Sequence, residues 1–379
     1  MISFILFLSL SACPQAGYSI PVLDLDQDSK RQSLVDREEG QYLGHVTTVL
    51  LKDGKTILAT YPKGHGRGQI VLKRSEDGGL SWSDRLPVPK SWSTSKEVPT
   101  IFRTFSPTGE ERLILQSGLF PIRQSISADN GKTWTELEAI GDYGGIVALS
   151  CMMQCKDGSY LAMFHDDGRF IGNTFRPDGD SPFYLYQIRS LDGGLTWSSP
   201  EIIANHPKAH LCEPGIFRSP DGNQLLVLLR ENSRKFNSFF MTSDDEGKTW
   251  SKPKETTGAL TGDRHTGVYS RDGRLFISFR DTTRESSTQG DWVAWVGTYK
   301  DIVEGREGQY RVRLKDNHHR WDCAYPGVLI LEDDTIVATT YGHWKKDKPP
   351  YILSVRVKLE ELDFLAQKKG EQMEMRENY

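Results

Sequence analysis

The sequence predicts an all-β fold, a six-bladed β-propeller, because two independent patterns recur along its 379 residues. One pattern is an eight-residue motif, Ser-x-Asp-x-Gly-x-Ser/Thr-Trp, which occurs four times. The other is a series of six tight turns, 49 to 64 residues apart, each lying between runs of strand-forming residues. Repetition at a blade-like period indicates a repeat architecture, and a tight turn between two such runs predicts a hairpin.

The four copies of the motif begin at Ser75, Ser127, Ser190 and Ser243, so their starts lie 52, 63 and 53 positions apart. In each copy the Asp carboxylate is placed to accept hydrogen bonds from backbone amides of the loop. The Gly permits a positive φ without steric cost, and the Trp is a large apolar anchor for packing between sheets. The motif therefore predicts a structural turn that leads from one strand to the next.

The six turns predict six four-stranded blades between about residue 40 and residue 365, with no separate second domain. The turns are Asp53-Gly54, Thr108-Gly109, Asp157-Gly158, Asp221-Gly222, Asp272-Gly273 and Asp333-Asp334. The last two blades lack the motif. The predicted divisions are a leader over 1–13, a tether and lead-in over 14–39, the propeller over 40–365, and a tail over 366–379. A short helix is predicted from Leu359 to Lys369, followed by a frayed end.

Charge and composition exclude several classes of partner. Lys and Arg total 47 and Asp and Glu total 51, and the net charge of −4 argues against nucleic acid or another polyanion. The sequence has no phosphate-binding glycine loop and no metal-ligand spacing, so we expect neither a cofactor nor a metal. The 9 Trp, 14 Tyr and 16 Phe fit packed sheets and a sugar-binding cleft, and we expect a monomer.

The first residues have the features of an export signal. Ile2 to Leu10 is mostly apolar but too short to span a bilayer, and it leads into Leu-Ser-Ala-Cys, which resembles a bacterial lipoprotein cleavage site with Cys13 lipidated. No Lys or Arg precedes the apolar run, and an ordinary secretory peptide is the alternative. We expect an exported protein, either a periplasmic or outer-membrane (cell-surface) lipoprotein held to the membrane only by its lipid, or a secreted protein.

The remaining cysteines are Cys151, Cys155, Cys212 and Cys323. They lack Cys-x-x-Cys spacing and no His cluster accompanies them, so a zinc site is not expected. Cys151 and Cys155 lie in apolar, strand-like sequence, which favours buried thiols. Disulfide bonding stays open at this point.

The four motif copies resemble the Asp-boxes (BNR repeats) of the sialidase superfamily, whose members are six-bladed propellers. The resemblance implies that the boxes lie on the rim away from the active site, so none of their Asp residues is a catalytic candidate. It also implies a glycosidase site in which three arginines bind the carboxylate of an acidic sugar. In such a site a Tyr paired with a Glu is the nucleophile, an exception to the usual pair of carboxylates, and an Asp is the acid/base.

Several positions match the site of that family. His-Leu-Cys-Glu-Pro-Gly precedes the fourth hairpin and Leu-Arg-Glu-Asn follows it, as the family's Glu and second Arg do. Trp-Asp-Cys-Ala-Tyr-Pro-Gly precedes the last hairpin, as the family's nucleophilic Tyr does. The resemblance therefore implies Tyr325 as nucleophile, Glu213 as its base partner and Arg230 as a carboxylate ligand. Either Arg280 or Arg284 supplies the third arginine.

The sequence departs from the family at two points. His45 takes the place of the first arginine, and the loop 61–69, where the family has its acid/base Asp, contains no carboxylate. That loop instead sets His65 and Arg67 among glycines, and an imidazole titrates near neutrality, as acid/base work requires.

Two further polar clusters lie where loops lead into or out of strands that we expect near the channel mouth. Asp263, Arg264 and His265 precede the fifth hairpin, and Asp166 follows the third. We expect Asp263 or His65 to be the proton donor. The predicted substrate-binding residues, beside the arginines above, are His45, Arg67, Arg264, His265 and Asp166.

The sequence leaves three functions open. The first is an exported glycoside hydrolase acting on sialic acid or another acidic sugar. The second is a lyase acting on uronate-containing polysaccharides, with His65 or His45 as base and Tyr325 protonating the leaving oxygen. The third is a non-catalytic glycan-binding propeller. The sugar, the linkage and exo or endo action are not determined by the sequence.

Overall fold

The computed structural model describes residues 17–177 and 181–377, with side chains through residue 369. Cys13 and the rest of the leader lie outside the described residues, so lipidation and export stay predictions. Within the described part of the chain, 24 strands form six sheets, which confirms the predicted six-bladed β-propeller. No helix among these residues is long and apolar enough to cross a bilayer.

The strands succeed one another blade by blade. Two strands precede the first blade, β1 (Val22–Asp24) and β2 (Gln32–Asp36). The first two blades contain β3 (Thr47–Leu50), β4 (Ile57–Pro62) and β5 (Ile70–Ser75), then β6 (Thr100–Phe105), β7 (Glu111–Ser117), β8 (Arg123–Ser127) and β9 (Glu138–Ala139). The third and fourth contain β10 (Ile146–Gln154), β11 (Tyr160–Asp166), β12 (Tyr184–Ser190) and β13 (Glu201–Asn205), then β14 (Leu211–Arg218), β15 (Leu225–Glu231), β16 (Phe239–Ser243) and β17 (Lys254–Glu255).

The last two blades differ from the first four in the segment after their third strand. They contain β18 (Gly262–Tyr269), β19 (Leu275–Asp281), β20 (Trp292–Gly297) and β21 (Tyr310–Lys315), then β22 (Gly327–Ile330), β23 (Ile336–Gly342) and β24 (Tyr351–Val357). The helix α1 (Tyr299–Glu304) comes after β20, where the earlier blades have an Asp-box. The helix α2 (Leu359–Glu377) comes after β24 and extends beyond its predicted end at Lys369, so residues 370–377, which we expected to be frayed, are helical.

Each predicted hairpin turn joins the first and second strands of a blade, and the paired strands are antiparallel. The first strands of the six blades lie next to one another around the central axis. The first blade has three strands, and two backbone hydrogen bonds, from Ser83 and Leu86 to β5, replace the ladder of a fourth.

The ring is closed by residues that precede the predicted boundary at 40. Strand β2 pairs antiparallel with β24, with Leu34 opposite Leu353, and so supplies the fourth strand of the last blade. Strand β1 pairs parallel with β21, with Val22 opposite Arg311. The prediction of a lead-in over 14–39 is therefore wrong for these two strands. Ring closure pairs segments that are far apart in sequence, and this segment has few buried residues, such as Val35, to reveal it.

The four Asp-boxes come after the third strand of the first four blades and form the predicted turns. In the first box, Oδ1 of Asp77 accepts a hydrogen bond from the amide of Ser81 at 2.9 Å, and Gly79 has a φ of +84°. Two boxes also join neighbouring blades, because Trp197 Nε1 donates to Gln124 of the preceding blade at 3.1 Å. The Trp250 indole makes the same contact with Gln187. The boxes are structural, as the resemblance implies.

Candidate active site

The inner ends of the blades surround a cavity of about 760 Å³ at one mouth of the central channel. Strand ends and the adjoining loops of four blades, the first, fourth, fifth and sixth, contribute its walls. The predicted site residues that line it are His45, His65, Arg230, Arg280, Arg284 and Tyr325. Six non-glycine residues of the inner strands, or of the loops just before them, have a positive φ: His45, Val147, Leu149, Glu213, Arg264 and Ala324. The positive φ changes the course of the chain where these strands face the axis.

Tyr325 and Glu213 meet in the wall of this cavity. The Tyr325 hydroxyl donates to Glu213 Oε1 at 2.6 Å, and Arg230 Nη1 lies 2.7 Å from both oxygens. Glu213 lies in a bulge of β14, where the register with β15 shifts between Cys212 and Gly215. Bulges redirect side chains, and this one allows Glu213 to reach a residue 112 positions later in the chain.

The electrostatics of this pair favour a protonated phenol. Burial raises the pKa of the Tyr325 phenol well above its usual range, and the Glu213 carboxylate raises it further. These effects outweigh the opposing influence of Arg230. The phenol is therefore held as a hydrogen-bond donor to a carboxylate that can take its proton, as a tyrosine nucleophile with a base partner requires.

Asp263 lies between three arginines, which with it form what we call the arginine wall: Arg230, Arg234 and Arg280. Its Oδ1 accepts from Arg234 Nη1 at 2.6 Å, its Oδ2 accepts from Arg280 Nε at 2.9 Å, and Arg230 Nε lies 3.1 Å away. Burial alone would raise the pKa of Asp263, but the three guanidinium groups hold it far below its usual range. Asp263 therefore stays ionised, which contradicts its predicted role as proton donor, and it orients the arginines instead.

The structure distinguishes the two candidates for the third arginine. Arg280 is buried, contacts Asp263, and places its guanidinium 5.9 Å from the centre of the Tyr325 ring. Arg284 also lines the cavity but lies at its exposed rim, where it donates to the carbonyl of Arg234 at 2.7 Å. Arg280 thus occupies the interior position beside Tyr325.

His45 is buried against tyrosines on the opposite side of the cavity. Its Nδ1 accepts a hydrogen bond from the amide of Gly66 at 3.1 Å, and its ring centre lies 4.4 Å from that of Tyr325. Burial lowers the pKa of His45 well below its usual range, and neighbouring His65 lowers it further. A neutral imidazole here cannot supply the charge of the family's first arginine. His45 is also poorly suited to its predicted role as a base, because the ring nitrogen that would accept a proton, Nδ1, already accepts a hydrogen bond from Gly66.

The cavity side formed by blades six and one carries what we call the histidine wall: His45, His65, His319 and His343 around Asp322. Tyr42 donates to Asp322 Oδ1 at 2.8 Å, and the Tyr42 oxygen lies 2.7 Å from His65 Nδ1. Burial would raise the pKa of Asp322, but hydrogen bonds from His343, His65 and Tyr42 outweigh it and lower that pKa below its usual range. Asp322 stands in the motif that precedes the last hairpin, but no role was predicted for it.

Four predicted substrate-binding residues do not line the cavity. Arg67 is exposed on the loop that carries His65, and Arg264 is buried, with burial lowering the pKa of its guanidinium. His265 is buried, with Nε2 2.9 Å from the Leu260 carbonyl oxygen, and burial lowers its pKa to about 4. Asp166 is buried and organises a turn by accepting from the amides of Gly168 and Ile171, each at 3.0 Å.

Glu97 is a carboxyl group near the cavity that sequence reasoning missed. It precedes the inner strand β6, and its Oε1 accepts from the amide of Val98 at 2.9 Å. That oxygen also lies against Gly66, where an added Cβ would be only 2.8 Å from it. Burial raises the pKa of Glu97, and the charge of Glu213 raises it further. Its place ahead of the second hairpin, as Glu213 stands ahead of the fourth, is the signal that could have revealed it.

The four described cysteines are buried free thiols, which leaves no disulfide among the residues that the structure describes.

A family model described as the BNR repeat-like domain matches residues 87–337. The chain belongs to this family. Together with the six sheets, the match makes the protein a sialidase-like BNR propeller.

Known relatives of this BNR propeller support the same assignment of fold. A sialidase of Vibrio cholerae is 26% identical over 186 residues, which cover 42% of this chain and 22% of that protein. The chain thus spans about a fifth of the length of the curated relative. A protein of unknown function from Dyadobacter fermentans superposes with a TM-score of 0.69 at 16% identity, over 86% of this chain and 97% of that one. The NanB sialidase of Streptococcus pneumoniae superposes with a TM-score of 0.57 at 12% identity, over 87% and 71% of the two chains.

Proposed function

We propose that this BNR propeller is a glycoside hydrolase that uses Tyr325 as nucleophile and Glu213 as its base. The observation that carries the proposal is the 2.6 Å hydrogen bond from Tyr325 to Glu213, with Arg230 2.7 Å from both oxygens in the cavity wall. Within the superfamily that the chain resembles, this combination is the nucleophilic unit. The similarity to sialidases of two bacteria supports the same chemistry.

The reaction proceeds in two steps. The Tyr325 oxygen attacks the anomeric carbon while its proton passes to Glu213. The bond from that carbon to the leaving oxygen breaks with its electron pair, and an acid on the opposite wall protonates that oxygen. Water then attacks the same carbon, its proton returns to the acid, and Tyr325 leaves with the proton that Glu213 held.

The charge of the cavity supports an acidic sugar as substrate. Five arginines line it, against three carboxylates. Within the arginine wall, however, Asp263 and Glu213 already neutralise much of the charge. The remaining cationic groups at the rim are Arg284 and Arg320. We therefore propose a sialic or uronic acid residue whose carboxylate lies between Arg280 and these rim arginines.

Two groups can supply the proton that the family's Asp would give. His65 lies in the corresponding loop and lines the cavity. Glu97 packs beneath the same loop against Gly66, and its raised pKa favours the protonated form that a general acid needs. Either group would take the role of the family's acid/base Asp, because the loop 61–69 contains no carboxylate.

The test is hydrolysis of aryl glycosides of sialic and uronic acids by the full chain. We expect the Tyr325→Phe variant to lose at least about a hundredfold in kcat/KM, because the nucleophilic oxygen is gone. Tyr61→Phe is the matched control, since Tyr61 is also buried and donates to a carboxylate, that of Asp36, outside the cavity. It should keep full activity.

Two results would contradict the proposal. Equal activity of wild type and Tyr325→Phe would exclude the tyrosine nucleophile. Absence of aryl release from every substrate, with the protein folded, would exclude the hydrolase. A rise in ultraviolet absorbance on acidic polysaccharides, from a new C=C bond, would then identify a lyase instead.

A further inference from the structure

Three side chains that can bind a metal ion meet on the histidine wall. They are His319, Asp322 and His343, and one ligand atom of each lies within 4.8 Å of those of the other two. The His319 and His343 rings are stacked, with centres 4.7 Å apart and an interplanar angle of 24°. The first two residues lie in the loop before β22 and the third comes directly after β23. No short spacing motif joins them, which explains why the sequence predicted no metal.

The hydrogen bonding of His343 is incomplete without a second proton or a cation. Its Nδ1 lies 3.2 Å from the carbonyl oxygen of Lys348, and its Nε2 lies 2.9 Å from Asp322 Oδ2. Both ring nitrogens therefore face oxygen acceptors, whereas a neutral imidazole has one N–H. With Nδ1–H donating to the carbonyl, the lone pair of Nε2 points at the carboxylate. A metal ion between the two would bind both, and a backbone carbonyl is a usual outer partner of a ligating histidine.

Asp322 is oriented as a metal ligand would be. Its Oδ1 accepts from the hydroxyls of Tyr42 at 2.8 Å and Tyr341 at 3.2 Å. These bonds fix the carboxylate and leave Oδ2 directed at His343. Hydrogen bonds that orient a ligating carboxylate are a regular feature of metal sites.

We propose that His319, Asp322 and His343 bind a divalent transition-metal ion of the zinc class at the cavity mouth. Two imidazoles and one carboxylate are a donor set that Zn²⁺ and its neighbours in the first transition row favour. Ligand atoms on one such ion are at most about 4.2 Å apart, since each bond is about 2.1 Å long. The exposed His319 ring can make the small movement that this requires.

The ion would place positive charge near His45, which stands where the family has its first arginine. Tyr341 connects the two places, because its hydroxyl lies 3.2 Å from Asp322 Oδ1 and 3.4 Å from His45 Nε2. The ion would have an open position toward the cavity, which both His319 and Asp322 line. An acidic substrate could bind there. This last role rests on the proposed function, whereas ion binding does not.

The test is titration of tag-free, chelator-treated full chain with Co²⁺, followed by visible absorbance and calorimetry. We expect one ion per chain and the d–d bands of a nitrogen- and oxygen-ligated site. His319→Ala and His343→Ala should weaken binding at least about tenfold, since each removes a direct ligand. His318→Ala is the matched control, because this exposed neighbour pairs with Asp316 and is not part of the cluster.

Circular dichroism would confirm that the variants are folded, and His319→Ala keeps the test decisive if His343→Ala does not fold, because His319 is exposed. Absence of Co²⁺ binding by the wild type would overturn the proposal and leave the His343–Asp322 contact as an ion pair. Binding that both His319→Ala and His343→Ala retain would also overturn it, by placing the ion elsewhere. Neither result depends on whether the protein hydrolyses glycosides.

Discussion

The two walls of the cavity differ in the charge of the groups that surround their carboxylates. On the arginine wall, three guanidinium groups surround one buried carboxylate, so positive charge is in excess and fixed in place. On the histidine wall, one carboxylate is surrounded by imidazole and phenol side chains, none of which carries a permanent positive charge. The arginine wall has residues that the resemblance to sialidases implies. The histidine wall has other residues where that family has its first arginine and its acid/base Asp.

This difference indicates which parts of the site are tied to the fold. The arginine wall holds Tyr325 and Glu213 together, and each of its members depends on another for a partner. The histidine wall includes exposed groups such as His65 and His319, which do not depend on buried partners in this way. The contacts among Tyr325, Glu213 and Arg230 are thus held in place by the cost of leaving buried charges unpaired.

The largest effect should come from breaking the arginine wall. Asp263→Asn leaves three guanidinium groups without their shared anion, and we expect a loss of about 3–5 kcal/mol in the free energy of unfolding. Denaturant unfolding measures it. Glu246→Gln, which breaks the half-exposed ion pair with Arg218, should cost about 1 kcal/mol or less. Equal losses in the two variants would show that Asp263 does not hold the wall.

A smaller effect should appear with Glu97→Gln, next to the loop that carries His65. A general acid must be protonated, so activity should fall as pH rises through the pKa of Glu97, which lies above its ordinary value because of burial and Glu213, despite nearby His65 and Arg169. The Glu97→Gln variant should not show this fall in activity at high pH. It should also lose about a hundredfold on poor leaving groups and much less on activated aryl ones. An unchanged profile would assign the proton to His65.

The smallest effect should come from restoring the family's arginine with His45→Arg. The side chain at 45 is enclosed by Tyr325 and Tyr341 and accepts from Gly66, so the longer arginine is expected to overpack the site. We expect a loss of about 1–3 kcal/mol in stability, by thermal or denaturant unfolding, and no gain in kcat/KM. A gain in activity would show that the two walls still accept the family's original arrangement.

The sequence predicted those features that recur locally or in a fixed order along the chain. Asp-boxes and hairpin turns are local, so they revealed the blades. The resemblance implied Tyr325 and Glu213 from their places before hairpins, and the structure brings the two into contact. The strands β1 and β2 were missed because ring closure is a pairing across almost the whole chain. Asp263 was given the wrong role because the partner Arg234 lies in a loop whose path the sequence does not specify.

The positive φ values around the axis limit how this family can diverge. Left-handed backbone costs a non-glycine residue about 1–2 kcal/mol, and Asn, Asp and His are enriched among the residues that adopt it. Position 45 has a φ of +50°, and histidine is therefore among the easier residues to accommodate there. The left-handed backbone around the channel mouth therefore restricts which side chains can occupy positions such as 45 without an energetic cost. His45, which stands where the resemblance implies an arginine, is thus a residue that this backbone accommodates at low cost.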